Sequence, residues 1–113
     1  MTDYEFGDVV LVTFPFTDMT TAKKRPAVVV SSVACSRNRA DIILMAVTSQ
    51  MQSIHYLGDV PVVDWRQAGL LKPSIIKPVF TTLEKVLILR KLGRLSEGDR
   101  AALKQALKAI LGE

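Results

Sequence analysis

Lys23-Lys24-Arg25-Pro26-Ala27-Val28-Val29-Val30-Ser31-Ser32 is the stretch on which the reading of this chain turns. Three cations run directly into a short apolar segment. The β-branched run Val28-Val29-Val30 suits a buried strand, because branched side chains fit a pleated sheet better than a helix. Pro26 has no N–H to give to a ladder, so the strand is expected to begin there and to run to about Ser32. Pro26 also pushes Arg25 into an extended conformation. A planar guanidinium held where a loop enters a rigid strand can bind a phosphate through two parallel hydrogen bonds. The same arginine can also be read as a surface cation that solvates a strand end.

Working outward, Gly7-Asp8 is a turn signal and Val9 to Phe14 reads as a buried strand that Pro15 ends. Phe16 to Ala22 is a polar, small-residue loop leading to the cations. On the other side, Ser36 to Asp41 is too polar for a core and reads as a loop or one helical turn. Ile42 to Thr48 is the third strand. Val60-Pro61-Val62-Val63 is strand-like, with Pro61 pointing to a sheet edge or a bulge. Trp65 to Ala68 is expected to form a turn of helix stopped by Gly69. Ser74 to Leu83 is a bent strand, flanked and interrupted by Pro73 and Pro78. Leu87 to Leu92 is a last short strand closing at Gly93. Ser96 then caps a helix, with Asp99 as the short acid of a capping box. Leu103, Ala106, Leu107, Ile110 and Leu111 recur at helical spacing. Arg100, Lys104 and Lys108 form a basic stripe on another face, which simple solvation also explains. Many short strands joined by Gly and Pro turns predict a mainly β (α+β) chain. The expected form is a small closed barrel of five or six strands with the C-terminal helix packed on it.

The 113 residues form one expected domain, 1–113, large enough to bury a core without disulfides or metal. An apolar content of 49% excludes a disordered chain, and a net charge of +4 favours an anionic partner. Cys35 is the single cysteine, which excludes an internal disulfide and fits a reducing cytoplasm. The N-terminus lacks the apolar core of a signal peptide, and no apolar run approaches membrane-spanning length. No His, Cys and acid cluster has metal-ligand spacing, so no metal or other cofactor is expected.

Several segments now combine. They are Gly7-Asp8-Val9-Val10, Phe14-Pro15-Phe16-Thr17-Asp18, Lys24-Arg25-Pro26-Ala27-Val28-Val29-Val30-Ser31, Val47-Thr48-Ser49, Lys72-Pro73-Ser74 and Leu92-Gly93-Arg94-Leu95-Ser96. In this order and spacing the chain resembles the PemK/MazF family of bacterial toxin–antitoxin endoribonucleases over nearly its whole length. The resemblance implies a small SH3-like barrel of five to seven short strands with a C-terminal helix. It also implies a homodimer, cleavage of single-stranded RNA at short sequences, and a cognate antitoxin protein that blocks the RNA groove. By position, Arg25 and Thr48 match the family's active-site arginine and threonine, and Ser49 adjoins the latter. Well-known members often carry a glutamate a few residues before the arginine, where this chain has Thr20 or Thr21. Some carry an acid where it has Pro73-Ser74.

Cleavage through the RNA 2′-hydroxyl needs a base for the 2′-proton, a cation or donor for the phosphate oxygens, and an acid for the leaving 5′-oxygen. Arg25 suits the phosphate, and Thr48 can donate its hydroxyl there. The base is open between Asp18, which can equally form an Asx turn, and His55, which can equally be a surface residue. Phe16 is the candidate stacking platform, with Tyr56 and Trp65 behind it. Thr17, Lys23, Lys24, Gln50, Lys72, Ser74 and Lys77 complete the expected RNA contacts. Two rival readings share the barrel: a non-enzymatic toxin that binds a protein target such as DNA gyrase, and a catalytically weak RNA-binding relative.

Overall fold

The valine run lies at the centre of the molecule. In the computed structural model, which describes residues 4–15, 22–49 and 56–112, it belongs to β2 (Ala22–Val29), flanked by β1 (Asp8–Pro15) and β3 (Asp41–Thr48). β4 (Val60–Val62), β5 (Ser74–Glu84) and β6 (Arg90–Arg94) complete a six-stranded sheet ordered β4-β5-β3-β2-β1-β6. Every pairing is antiparallel. The sheet curls into a half-barrel, and the C-terminal helix α2 (Glu97–Ile110) closes one side of it.

The central strand reads as a continuous apolar run, without alternation, because both of its faces are buried. Val28 joins Val9, Met45, Val47, Ile76, Leu95 and Leu103 in one cluster. Ala27 and Val29 join Val10, Val12, Ile42 and Leu44 on the other face. α2 covers the first cluster: Leu103 is fully buried, with Ala106, Leu107 and Ile110 packed around it. A buried leucine of this kind is worth about 2–5 kcal/mol against alanine. Leu111 falls outside the expected stripe and is 71% exposed at the helix C-cap. The helical cations have structural neighbours: Arg100 donates to the Leu95 carbonyl at 2.8 Å, and Lys104 stands 5.4 Å from the Phe6 ring centroid.

β2 begins four residues before Pro26 and ends at Val29. Pro26 is tolerated inside it because the β2–β3 ladder stops at Ala27↔Ala46, leaving β1 as its paired neighbour at Leu11↔Pro26. Ser31 and Ser32 do not extend the strand. The Ser31 hydroxyl accepts from the Ile43 N–H at 3.2 Å, and Ser32 caps the short turn α1 (Val33–Ser36) by accepting from the Cys35 N–H at 3.0 Å. Pro61 sits in the edge strand β4, as its missing donor requires. β5 bends where its register on β3 jumps from Met45↔Phe80 to Val47↔Ile76, and Pro78 lies in the extra residues.

The last strand differs most from expectation. Lys85–Leu87 form a 3-10 turn, and β6 starts only at Arg90. Gly93 lies inside β6, paired with Val9, and does not end it. Its hydrogen side chain is required there. A Cβ on Gly93 would lie 2.5 Å from the Ala68 carbonyl oxygen, and one on Gly69 would overlap the Leu92 carbonyl. The backbone of 68–69 therefore presses on that of 92–93, bringing the segment after β4 against β6. Residues 65–68 form a single helical turn, closed by the Ala68 N–H donating to the Asp64 carbonyl at 3.2 Å, and Gly69 reverses the chain at φ +84°. Asp99 also departs from the capping-box pattern. Its own N–H is capped by Ser96 Oγ at 3.2 Å, but its buried carboxylate reaches across the molecule. It accepts from the N–H groups of Val63 at 3.1 Å and Asp64 at 2.9 Å.

Candidate nucleic-acid interface

The site arises where two strands part. β2 stays on β1 as far as Pro15↔Ala22, while β3 follows β5 to Thr48↔Ile75. Beyond Ala27↔Ala46 nothing pairs β2 with β3, and a cleft of about 440 Å³ opens there. Lys23, Lys24, Arg25 and Pro26 of β2 line one side. Val47 and Ser49, at the end of β3, line the next. The turn after β4 supplies Gly69, Leu70, Leu71 and Lys72, with Ser74 at the start of β5. Leu11 forms the floor, and Arg90 and Leu92 of β6 complete the far wall.

The cleft therefore gathers Arg25, Lys23, Lys24, Ser49, Lys72 and Ser74 from three separate parts of the sequence. Thr48 is half-buried and does not line it, since successive strand residues face opposite sides. Ser74 is buried and donates its hydroxyl to the Lys72 carbonyl at 2.9 Å, which fixes the turn. Lys77 lies apart: it is ion-paired to the buried Asp59 side chain at 2.9 Å and does not reach the cleft. Phe16, Thr17, Asp18, Gln50 and His55 lie outside the described residues. Tyr56 is exposed, and Trp65 is half-buried with Arg66 stacked 4.8 Å from its ring centroid. Neither lines the cleft.

Charge decides what the cleft can hold. Five of its described lining residues are cations and none is a carboxylate or an imidazole. Elsewhere some of the cations are matched: Arg39 pairs with Asp41 at 2.9 Å, and Lys91 and Arg94 approach the buried Asp8 at 3.2 Å and 3.9 Å. The Asp41 carboxylate, hydrogen-bonded to Arg39, holds that guanidinium above its ordinary pKa. Among the described residues, Lys23, Lys24, Lys72 and Arg90 have no such carboxylate. Like charges brought together without counter-charges repel, so this arrangement costs stability and suits an anionic ligand. A second cleft of about 480 Å³, between β4 and α2, has the opposite character, with Asp59, Asp64 and Asp99 in its walls. No group of described residues has the make-up of a metal site, and no described helix is long and apolar enough to cross a membrane.

Arg90 and the leucines of the wall were not singled out by sequence. Arg90 and Lys91 are adjacent cations in a short apolar stretch, and only the β6 register shows that one serves the cleft and the other Asp8.

A curled antiparallel half-barrel with a C-terminal helix, and a cleft whose described lining is cationic and free of acids, defines a small β protein with a cationic cleft. Comparison with known proteins specifies it further. Residues 5–111 match the model of the PemK-like, MazF-like toxins of type II toxin–antitoxin systems, and the chain belongs to that family. Among solved structures it is similar to a mycobacterial endoribonuclease in complex with its cognate antitoxin. Identity there is 20%, with 99% of this chain and 96% of that one covered at a TM-score of 0.75. It is also similar to MazF from Deinococcus radiodurans, with 20% identity, full coverage of both chains and a TM-score of 0.76. The MazE–MazF structure of that organism gives 17% identity, 99% and 98% coverage and a TM-score of 0.77. At these identities the likeness establishes the fold. No curated protein sequence matches significantly.

Proposed function

We propose that this toxin is an endoribonuclease that cleaves single-stranded RNA by attack of the substrate's own 2′-hydroxyl, acting in the cytoplasm as a homodimer restrained by a cognate antitoxin. The observation that carries the reading is the cationic cleft, acid-free among its described residues, that holds Arg25 and Ser49 beside three lysines and a second arginine. Two solved structures of the same fold are endoribonucleases, one of them in complex with its cognate antitoxin. Arg25 holds the scissile phosphate by a charge-assisted fork that strengthens as negative charge builds on the phosphoryl oxygens. The Ser49 hydroxyl in the cleft wall donates to the same group. Asp18 takes the 2′-proton, in the stretch joining β1 to β2. Leu11, Pro26, Leu70 and Leu71 give the cleft an aliphatic surface on which a sugar or base can lie. Phe16, Thr17 and Gln50 extend the contacts to neighbouring nucleotides.

Because the substrate supplies the nucleophile, no metal is required, and the products carry a 2′,3′-cyclic phosphate and a 5′-hydroxyl. The deciding experiment uses a defined RNA and the same strand with one 2′-deoxy sugar at the cut site. The RNA is expected to be cut in excess chelator, and the deoxy strand to bind through its unchanged phosphates yet stay intact. Cleavage of the deoxy strand, or arrest by chelator, refutes the mechanism. If no RNA is cut while purified gyrase is bound, the protein-target reading replaces it. A sedimentation mass of one chain at micromolar concentration would refute the homodimer.

A further inference from the structure

We infer that Arg90 is a substrate-positioning residue that holds a second phosphate, one nucleotide removed from the phosphate held by Arg25; this rests on the ribonuclease reading above. The register sets the geometry. Leu11 of β1 pairs with Pro26 on one side and with Arg90 on the other. The row Pro26–Leu11–Arg90 therefore crosses the sheet over two strand spacings, about 10 Å. Arg90 stands at one end of this row, and Arg25 is one residue from Pro26 at the other, paired with Val12 in the next row. Both arginines line the cleft together with the aliphatic side chains of Leu11, Pro26 and Leu92. Two cations about an apolar floor suit two phosphates about one nucleoside along a single strand.

The charges of β6 divide in a way that fits. Lys91 and Arg94 are engaged with the buried Asp8. Arg90 alone of the three lines the cleft, exposed and with no carboxylate beside it among the described residues. A strand that needed only solubility would not require its unmatched arginine on this wall. A guanidinium there can grip a phosphate through two N–H groups and so fix the strand's register relative to Arg25. It touches no reacting bond, so its contribution is to binding and alignment.

The test compares wild type, Arg90→Ala and Arg90→Lys. Binding of an all-deoxy single strand is measured by anisotropy over a salt series, and cleavage kinetics on the ribo strand are measured in parallel. Loss of one phosphate contact is expected to flatten the plot of log affinity against log salt by about 0.7 in Arg90→Ala. The variant's affinity deficit then shrinks about two- to threefold between roughly 50 mM and 200 mM salt. KM is expected to rise several-fold with kcat within about twofold, the pattern of a contact made equally in ground and transition states. Arg90→Lys restores the salt slope but only part of the KM, because a point charge cannot copy the fork. Thermal melts confirm that the variants are folded, as expected for an exposed side chain. An unchanged slope and KM in folded Arg90→Ala overturns the inference, as does a kcat collapse at constant KM. A wild type that neither binds nor cuts any strand overturns the ribonuclease reading itself, an outcome visible before any variant is compared.

Discussion

Asp99→Ala is expected to lower the melting temperature by about 15 °C, and the figure follows from the contacts it removes. The carboxylate accepts two backbone hydrogen bonds, from Val63 at 3.1 Å and Asp64 at 2.9 Å, across 36 and 35 residues of sequence. Hydrogen bonds to a charged group contribute about 1.5–3 kcal/mol each. Val63 and Asp64 are exposed residues, so water can reach the freed donors, and the low end applies to each. Loss of a negative charge in the first turn of α2 adds about 0.5 kcal/mol. The total is about 3.5 kcal/mol. For 113 residues, unfolding entropy is about 0.24 kcal/mol/K, which gives the stated shift. Asp99→Asn keeps one carbonyl oxygen and one bond, so it should lose just over half as much. Calorimetry reads the melting temperature, and hydrogen exchange at Val63 and Asp64 reads the bonds directly. A shift below about 4 °C, or unchanged exchange protection at both amides, would refute the reasoning. The consequence extends to the cleft, because the segment that Asp99 anchors runs on to Gly69, Leu70, Leu71 and Lys72 in its wall.

Two glycines should respond with opposite signs. Gly69→Ala must place a Cβ into the Leu92 carbonyl at φ +84°, so it should cost more than about 4 kcal/mol and yield little folded protein on expression. Gly98→Ala, in α2 with nothing within 4 Å of the new Cβ, should stabilise by about 0.5 kcal/mol, seen as a small rise in melting temperature. Arg25→Ala should leave the melt unchanged and cut kcat about a hundredfold, on the order of 3 kcal/mol of transition-state stabilisation. Wild-type kcat in that variant would remove Arg25 from the chemistry.

The parts of the fold legible in sequence were those set by local chemistry. The valine run gave a central strand, Pro61 an edge strand, Ser96 a helix start, and Leu103 with its helical partners the buried face of α2. The parts that were not legible depend on distant contacts. Nothing near Gly93 signals that Ala68 presses on it, so glycine reads as a stop where it is a passage for another backbone. Asp99 sits where a capping box would place an acid, but its partners are on the segment after β4. The site divides in the same way. Arg25, Lys23, Lys24, Ser49, Lys72 and Ser74 were recognisable from motifs and do converge. Lys77 looked equivalent to Lys72 in sequence, yet Asp59 holds it elsewhere. Arg90 needed the β1–β6 register to be seen at all.

Pro26 connects these two levels. A strand sheds its second neighbour readily where it stops offering donors, and Pro26, one residue beyond Ala27↔Ala46, offers none. With β1 still paired to it, β2 does not fray. It continues as a rigid, one-sided strand and carries Lys23, Lys24 and Arg25 along the opening. The same residue biases Arg25 toward extended backbone. The cleft and the alignment of its arginine thus share one cause in the sequence. That cause also explains why the cations precede the proline: placed after it, they would fall within the β2–β3 ladder, where Ala27, Val28 and Val29 are fully buried and an unmatched charge could not be held.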